Sequence, residues 1–308
     1  MKSLVTGGAG FIGSHIVDLL IKEGHDVTVI DNLSMGKIEN INKKAKFIKG
    51  DILDYNLIEP VVKDKDYIFH NAAKVSVRNS VNNLIEDANV NVMGTLNILK
   101  AMQYSRVKRL IFASSMGVYG SNGYSTEETD SEKILPSSPY GIGKLAAEKY
   151  CLHLARLFNK ECVVLRYNNT YGTRQTPTPY VGVITIFINN MLKNIPCTIY
   201  GDGNQVRDYI HVEDVAYANI LAVKTKNANE VYNIGTGAGT SVNEIYRLVS
   251  GMLGNNLKAI FLPKNMTDLD YFTSSIKKAE LKLGFKAKHM LKDKIGEVID
   301  HLKNATDA

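Results

Sequence analysis

Two short stretches of this 308-residue sequence place residue types at spacings that can do chemistry. The first is Thr6-Gly7-Gly8-Ala9-Gly10-Phe11-Ile12-Gly13, a G-x-x-G-x-x-G pattern between an apolar run and a helical one. Glycine is needed where the chain turns tightly and where backbone must lie against a bulky anion. A helix starting at such a turn aims free N–H groups and the positive end of its dipole at that anion. In this context the cluster reads as the pyrophosphate turn of a dinucleotide site. Eighteen residues past Gly13, Asp31 ends the next apolar run. A carboxylate there accepts hydrogen bonds from both adenosine ribose hydroxyls and repels a 2′-phosphate, which selects NAD over NADP. Asp51-Ile52, after the third apolar run, could bracket the adenine.

The second stretch is Ser137-Ser138-Pro139-Tyr140-Gly141-Ile142-Gly143-Lys144. Ser138 can cap a helix and Pro139 suits its first position, so Tyr140 and Lys144 fall one turn apart on one face. A phenol with an ordinary pKa near ~10 is a poor base at neutral pH. An adjacent ammonium and a positively charged nicotinamide would both favour its phenolate. Ser114-Ser115 end the fifth apolar run, where a fold of this kind builds its active site. Ser115 is suited to hydrogen-bond the oxygen on which Tyr140 acts. A different reading takes Ala113-Ser114-Ser115-Met116-Gly117 as a variant nucleophile elbow, with Ser115 as the nucleophile of a serine hydrolase and His211 downstream. It leaves the glycine turn and the Tyr140/Lys144 pair unexplained.

The elements that must position these residues show in the hydropathy. Leu4-Val5-Thr6, Val27-Thr28-Val29-Ile30, Phe47-Ile48, Tyr67-Ile68-Phe69, Leu110-Ile111-Phe112-Ala113 and Val163-Val164-Leu165 are continuous apolar runs. Continuous rather than alternating hydrophobicity predicts strands buried on both faces of a parallel sheet. Ile12, Ile16, Leu19 and Leu20 fall at helical spacing, with Gly24 as a C-terminal cap. The alternation predicts an α/β, doubly wound parallel sheet of the Rossmann type. After Tyr167 the pattern turns irregular, with a helix near Val183 to Leu192, a turn at Gly201-Asp202-Gly203-Asn204, a helix over Asp214 to Val223 and a strand over Val231 to Ile234. The expected division is a dinucleotide-binding domain over residues 1–166, with 209–235 returning to it. Residues 167–308 would form a smaller, mixed α/β substrate-binding region.

At 44% hydrophobic and 22% charged the chain is globular in composition, which excludes a disordered or collagen-like polymer. Its charge of +6 is spread out, and the densest stretch, Lys277 to Lys294, reads as one solvated helical face. Without aromatic or arginine interleaving it argues against nucleic-acid binding. Three cysteines with no C-x-x-C pair favour a reducing, cytoplasmic setting. The glycine cluster begins too close to Met1 for a signal peptide, and no apolar run approaches the ~20 residues of a membrane helix. The seven histidines show no metal-ligand spacing, so no metal is expected.

At this point the sequence resembles a known family. Gly7 to Gly13, Asp31-Asn32-Leu33-Ser34-Met35-Gly36-Lys37, His70-Asn71-Ala72-Ala73, Ser114-Ser115 with Val118-Tyr119-Gly120, and Tyr140 with Lys144 look like the extended short-chain dehydrogenase/reductases. Arg166-Tyr167, Asn169, Tyr171-Gly172, Tyr200-Gly201-Asp202-Gly203, Arg207-Asp208-Tyr209, Val212-Glu213-Asp214-Val215 and Asn233-Ile234-Gly235 extend the match to about residue 250. Within the NAD-dependent epimerase/dehydratases it is most similar to the UDP-glucose 4-epimerase group. The resemblance implies an NAD site lined by Gly7, Gly10, Phe11, Ile12, Asp31, Asn32, Leu33, Ser34, Gly36, Asp51, Ile52, Ala72, Ala73, Lys74, Asn91, Ser114, Tyr140, Lys144 and Tyr167.

It further implies that Tyr140 is the catalytic base and acid, Lys144 its electrostatic partner and Ser115 the orienting hydroxyl. Asn169, Val183, Tyr200 and Arg207 would join Ser115 and Tyr140 in holding a UDP-sugar. Tyr140 would remove the C4 hydroxyl proton while hydride passes to NAD, and the transient 4-keto sugar would turn over before hydride returns. The family also implies a homodimer through helices near Asn91 to Met102 and Tyr140 to Leu152. Alternatives on the same fold are a UDP-N-acetylhexosamine or UDP-uronate 4-epimerase, for which Arg174 is one available cation, and a dehydratase or decarboxylase. Such lyases usually place an acidic residue just after Ser115, where this chain has Met116-Gly117. Asn168 stands where the group has phenylalanine, Thr173 where it has proline, and Asn265 where it has a phosphate-binding arginine.

Overall fold

The structure, a computed structural model, describes residues 1–120, 123–130, 132–178, 182–264 and 269–306; Asn265 lies outside them. From the N-terminus the chain runs β1 (Lys2–Thr6), α1 (Phe11–Lys22), β2 (Asp26–Asp31), β3 (Lys46–Lys49), α2 (Tyr55–Val62) and β4 (Tyr67–His70). Short helices α3 (Val77–Asn82) and α4 (Leu84–Ala88) precede α5 (Thr95–Gln103), β5 (Arg109–Ser115), β6 (Gly123–Thr126), α6 (Pro139–Leu157) and β7 (Glu161–Tyr167). There follow β8 (Asn169–Tyr171), α7 (Val183–Leu192), β9 (Thr198–Tyr200), β10 (Val206–Arg207), β11 (Tyr209–His211), α8 (Val212–Lys224) and β12 (Glu230–Ile234). The chain closes with β13 (Thr240–Ser241), α9 (Val242–Leu253), β14 (Ile260–Leu262), β15 (Tyr271–Ser274), α10 (Lys277–Leu283) and α11 (Leu291–Thr306).

Seven parallel strands in the order β12-β7-β5-β4-β1-β2-β3 form the main sheet. This is the doubly wound α/β architecture read from the apolar runs. Their continuity has a direct cause: neighbouring residues serve opposite cores. Leu4, Ile68, Leu110, Phe112 and Val164 pack with Ile98 and Leu99 of α5 and Ala147 and Cys151 of α6. Val5, Phe69, Ile111, Val163 and Leu165 pack with Ile16, Val17 and Leu20 of α1 and Val215 and Ala218 of α8. The strand order reverses between β1 and β4, so the crevice beyond their carboxyl ends is where such a sheet receives a ligand.

A four-stranded sheet, β13-β10-β15-β6, and two strand pairs, β11-β8 and β14-β9, make up the smaller mixed part. Its core joins Ile184, Phe187 and Ile188 of α7 to Ile245 and Val249 of α9 and Ile295 and Val298 of α11. One expectation fails here. The lysine-rich stretch is not a single solvated face but two helices and a connecting segment, because Gly284 ends α10 in the left-handed conformation. Several of its lysines are paired: Lys278 and Lys282 meet Glu230, and Lys294 meets Glu213 and Glu297. Among the described residues no helix is long and apolar enough to cross a membrane.

Candidate active site

The glycine turn between β1 and α1 is forced by space. Gly7 has φ +71°, and a Cβ on it would lie 2.7 Å from Ala72 N. A Cβ on Gly13 would lie 2.2 Å from Gly7 O, so the helix start can pack on the turn only as glycine. Gly10 begins α1 without a side-chain cap, which leaves Phe11 and Ile12 in an uncapped first turn suited to an anion. At the end of β2, Asp31 accepts Ala9 N–H at 3.0 Å on one oxygen and Leu33 N–H at 2.8 Å on the other. Each oxygen keeps a lone pair for a ribose hydroxyl. A Cβ on Gly36 would lie 3.0 Å from Asp31 Oδ1, so that glycine keeps the carboxylate approachable.

Asn32 Nδ2 donates to Asp51 at 2.8 Å and its side-chain oxygen accepts Ser34 N–H at 2.9 Å, tying the ends of β2 and β3 together. Ile52 is buried against Gly94, in the π-helical turn over Asn89–Gly94. Turns of that type recur at functional sites. Here it presents Asn91, whose carboxamide exchanges bonds of 3.0 and 3.1 Å with the backbone of Lys74. The Lys74 ammonium itself is 2.7 Å from Glu86.

The residues fit NAD on a further observation that the sequence did not single out. Asn71 follows β4, and both polar atoms of its carboxamide are buried without a partner. The backbone carbonyl carbon of Asn71 lies 3.0 Å from where a Gly7 Cβ would stand, so the residue that carries the orphaned amide adjoins the glycine turn. A buried amide without partners is the mark of a missing ligand group or water.

At the chemical end, Ser138 caps α6 by accepting Gly141 N–H at 3.1 Å, and Pro139 occupies its first turn. Tyr140 and Lys144 consequently share a face, both nearly enclosed. A Cβ on Gly117 would stand 3.3 Å from both Ser115 Oγ and Tyr140 Cε1, so the hydroxyl and the ring flank one spot. Burial pushes the Tyr140 phenol up, the Ser115 hydroxyl bond pulls it down, and Asp87 pushes it up again. Burial also brings Lys144 down to about 8, against the opposing pull of Cys151, Glu148 and Asp87. The expected lowering of Tyr140 by Lys144 is therefore not seen here. The ammonium sits 4.5 Å from the centre of the Phe112 ring, and Asp87 is the charge that acts on the phenol.

Behind this pair lies a polar network. Ser114 turns its hydroxyl to Glu148, one turn beyond Lys144 on α6, and Glu148 receives Arg166 through two bonds. Arg166 Nη1 donates to Tyr119 Oη at 2.8 Å, and that hydroxyl donates to Asn233 at 2.7 Å. Tyr167, at the end of β7, is buried with its hydroxyl against Asn219 of α8.

The expected substrate-side residues come from separate elements. Asn169 Nδ2 lies 3.2 Å from Met116 Sδ and so adjoins the Ser115 turn. Val183 opens α7, Tyr200 ends β9 and Arg207 ends β10, all half-buried. Asn168, the departure from phenylalanine, bonds Ser274 Oγ at 2.6 Å and leaves its own oxygen without a partner. Arg174 Nη2 is 2.7 Å from Asp18. The bonds that Ser115 makes are to Gly117 N–H and Tyr140, whereas His211 faces Glu213, Glu297 and Tyr171, which gives no support to a Ser–His nucleophile. Asp87 and Glu148 were missed in the sequence, and Asn71 appeared there only as part of the His70-Asn71-Ala72-Ala73 match without a role. Glu148, four residues after Lys144, left a local signal, and Asp87 left none.

Comparison with known proteins agrees with this geometry. The sequence model described as the NAD dependent epimerase/dehydratase family matches residues 3–235. A UDP-glucose 4-epimerase of Mycolicibacterium smegmatis is 36% identical over 312 residues, which cover 99% of each chain. The UDP-glucose 4-epimerase of Thermotoga maritima, solved with UDP-glucose, superposes with a TM-score of 0.95 at 40% identity, covering 99% of this chain and 100% of that one. A UDP-N-acetylglucosamine 4-epimerase of Methanobrevibacter ruminantium, solved with UDP-N-acetylmuramic acid, gives 0.93 at 35% identity, covering 99% and 98%. The chain belongs to the NAD-dependent epimerase/dehydratase family, among its nucleotide-sugar epimerases, and its cofactor is NAD.

Proposed function

We propose that the protein interconverts UDP-glucose and UDP-galactose at C4 of the sugar. The observation that carries this reading is the placement of Ser115 Oγ and the Tyr140 ring about one spot, followed in sequence by Met116-Gly117 and no carboxylate. NAD, held by the residues described above, would supply a reversible hydride acceptor for the sugar carbon. Ser115 Oγ holds the sugar O4 against Tyr140 Oη. Tyr140 Oη takes the proton from that hydroxyl and later gives it back, a contribution of typically 10²–10⁴ in rate. The Lys144 ammonium reaches toward the nicotinamide ribose. Asp31 and Asn32 hold the adenosine end, and Phe11 and Ile12 present backbone N–H groups to the pyrophosphate. Asn169, Val183, Tyr200 and Arg207 hold the nucleotide diphosphate.

A uronate substrate is the second reading: Arg174, the cation available to its carboxylate, pairs with Asp18 through Nη2 and keeps Nη1 without a partner. The same reading divides the chain into an NAD-binding unit, residues 1–166 with 209–235, and a substrate-binding region over 167–308. It also pairs two copies through the helical segments near Asn91 to Met102 and Tyr140 to Leu152, where Met93, Ile142 and Tyr150 are exposed. A monomer in sedimentation would overturn that pairing.

The test is NMR of purified protein with UDP-galactose and no added NAD. Appearance of UDP-glucose, lost in Tyr140→Phe, supports the reading. A 4-keto-6-deoxy sugar would identify a lyase instead. No conversion, with NAD released on denaturation, would move the substrate to a hexosamine, a uronate or another nucleotide.

A further inference from the structure

Away from the active site, α8 and α11 meet at a cluster with no part in this chemistry. His211 ends β11 and caps α8, Glu213 lies in the first turn of α8, and His289 sits just before α11. One ring nitrogen from each histidine and one Glu213 oxygen lie within 4.8 Å of one another. Glu213 Oε2 is 3.2 Å from His289 Nε2 and 3.7 Å from His211 Nδ1. The histidines are far apart in sequence, so ligand-spacing rules had no means of pairing them.

The hydrogen bonds orient both rings. Asp214, itself fixed by the backbone N–H groups of Lys288 and His289, accepts His289 Nδ1–H at 2.9 Å. In the neutral ring this leaves a lone pair on Nε2, facing Glu213. His211 Nδ1 accepts Glu213 N–H at 3.4 Å, which places the proton of that ring on Nε2. Glu297 Oε1 stands 2.7 Å from that nitrogen, although the contact does not complete a hydrogen bond. The His289 Nε2 lone pair and a Glu213 carboxylate oxygen thus converge beside His211 Nδ1, whose own lone pair is held only by the long 3.4 Å contact from Glu213 N–H. A positive charge among them relieves their mutual repulsion. Lys294 Nζ is the charge in place, 3.0 Å from Glu213 Oε2, and its 2.9 Å contact with Glu297 gives it somewhere to remain if Glu213 is taken. Carboxylates behind imidazoles are also the outer shell that aims histidines at metals.

We infer that His211, Glu213 and His289 bind one zinc-class divalent cation, with water completing its coordination, and thereby fasten the start of α8 to α11. Two imidazoles and one carboxylate suit zinc and its first-row neighbours rather than magnesium or calcium. Glu213, half exposed, can adjust to metal bonds of about 2.0–2.2 Å.

The test is calorimetric titration of zinc chloride into tag-free, chelator-stripped full-length protein, with magnesium chloride in parallel. One saturable zinc per chain and no magnesium isotherm are expected, with Tm rising as zinc is added. His289→Val should weaken zinc binding at least tenfold. Glu213→Gln, a near-isosteric change at a half-exposed side chain, should do the same. Lys294→Met should tighten binding several-fold by removing the competing ammonium. The inference is overturned by the lack of a saturable zinc site in the wild type, by zinc affinity unchanged in Glu213→Gln, or by weaker binding in Lys294→Met.

Discussion

Arg166 grips Glu148 through two parallel bonds, Nε to Oε1 at 2.9 Å and Nη2 to Oε2 at 2.8 Å, with neither side chain more than 2% exposed. The pair ties the end of β7 to the middle of α6 and so fixes the helix that carries Tyr140 and Lys144. Removing one partner leaves a buried charge uncompensated, which costs about 3–5 kcal/mol, whereas removing both can be neutral. Glu148→Leu and Arg166→Met should each lower the urea midpoint sharply, and the double variant should recover most of the loss. Additive losses in the double variant would show that the two residues act separately.

Lys144 should trade stability for function. Its ammonium, brought by burial from 10.5 to about 8, costs the folded, cofactor-free protein roughly 3 kcal/mol at neutral pH. Between pH 8 and 10.5 the unfolded lysine keeps a proton that the folded one has released, so wild-type stability rises through that window. Lys144→Met should therefore be more stable than wild type at pH 7 while losing turnover, with the stability gap closing from pH 8 upward. Denaturant midpoints across that range measure it.

Acid should act through His70. Its ring lies between Thr6 Oγ1 at 2.7 Å and Thr95 Oγ1 at 3.0 Å, and burial, helped by the Lys144 charge, pushes it down to about 3. Because the unfolded ring takes up a proton first, the stability present above pH 6.5 is lost progressively as pH falls toward 3. His70→Gln should begin about 1–2 kcal/mol less stable at pH 7 through its altered hydrogen bonds. It should then show a flatter decline on acidification, readable in Tm between pH 7 and 4.

Asn71 separates cofactor binding from folding. With both carboxamide atoms buried and unpartnered, Asn71→Leu should stabilise the cofactor-free protein by about 1–2 kcal/mol. The same change should weaken NAD retention roughly tenfold, the equivalent of one lost hydrogen bond. Equilibrium dialysis with NAD alone, beside a melting curve, reads both. A variant that keeps NAD as firmly as wild type would show that the amide faces no cofactor group.

Local rules accounted for the elements that depend on local causes. The glycine spacing follows from the lack of room between β1, α1 and Ala72, and the shared face of Tyr140 and Lys144 follows from one capped helix. The apolar runs were legible because each strand serves two cores. The β6 strand was not legible, since its partner β15 lies far along the chain and each is only four residues long. Nor was the influence on Tyr140, where Asp87 from α4 counts for more than the lysine one turn away. The network from Ser114 to Asn233 joins residues whose only common property is where three strands and a helix bring them. No periodicity records that.

The place of β12 also bears on how the chain is made. It lies beside β7, yet everything from Asn168 to Asn229 is synthesised between them. Until Ile234 has left the ribosome, β7 is an open sheet edge bearing Val163, Val164 and Leu165, the kind of edge that pairs with other chains. Translation that pauses within that interval should leave nascent protein prone to capture by chaperones, and ribosome-bound fragments ending before β12 should be the sticky ones.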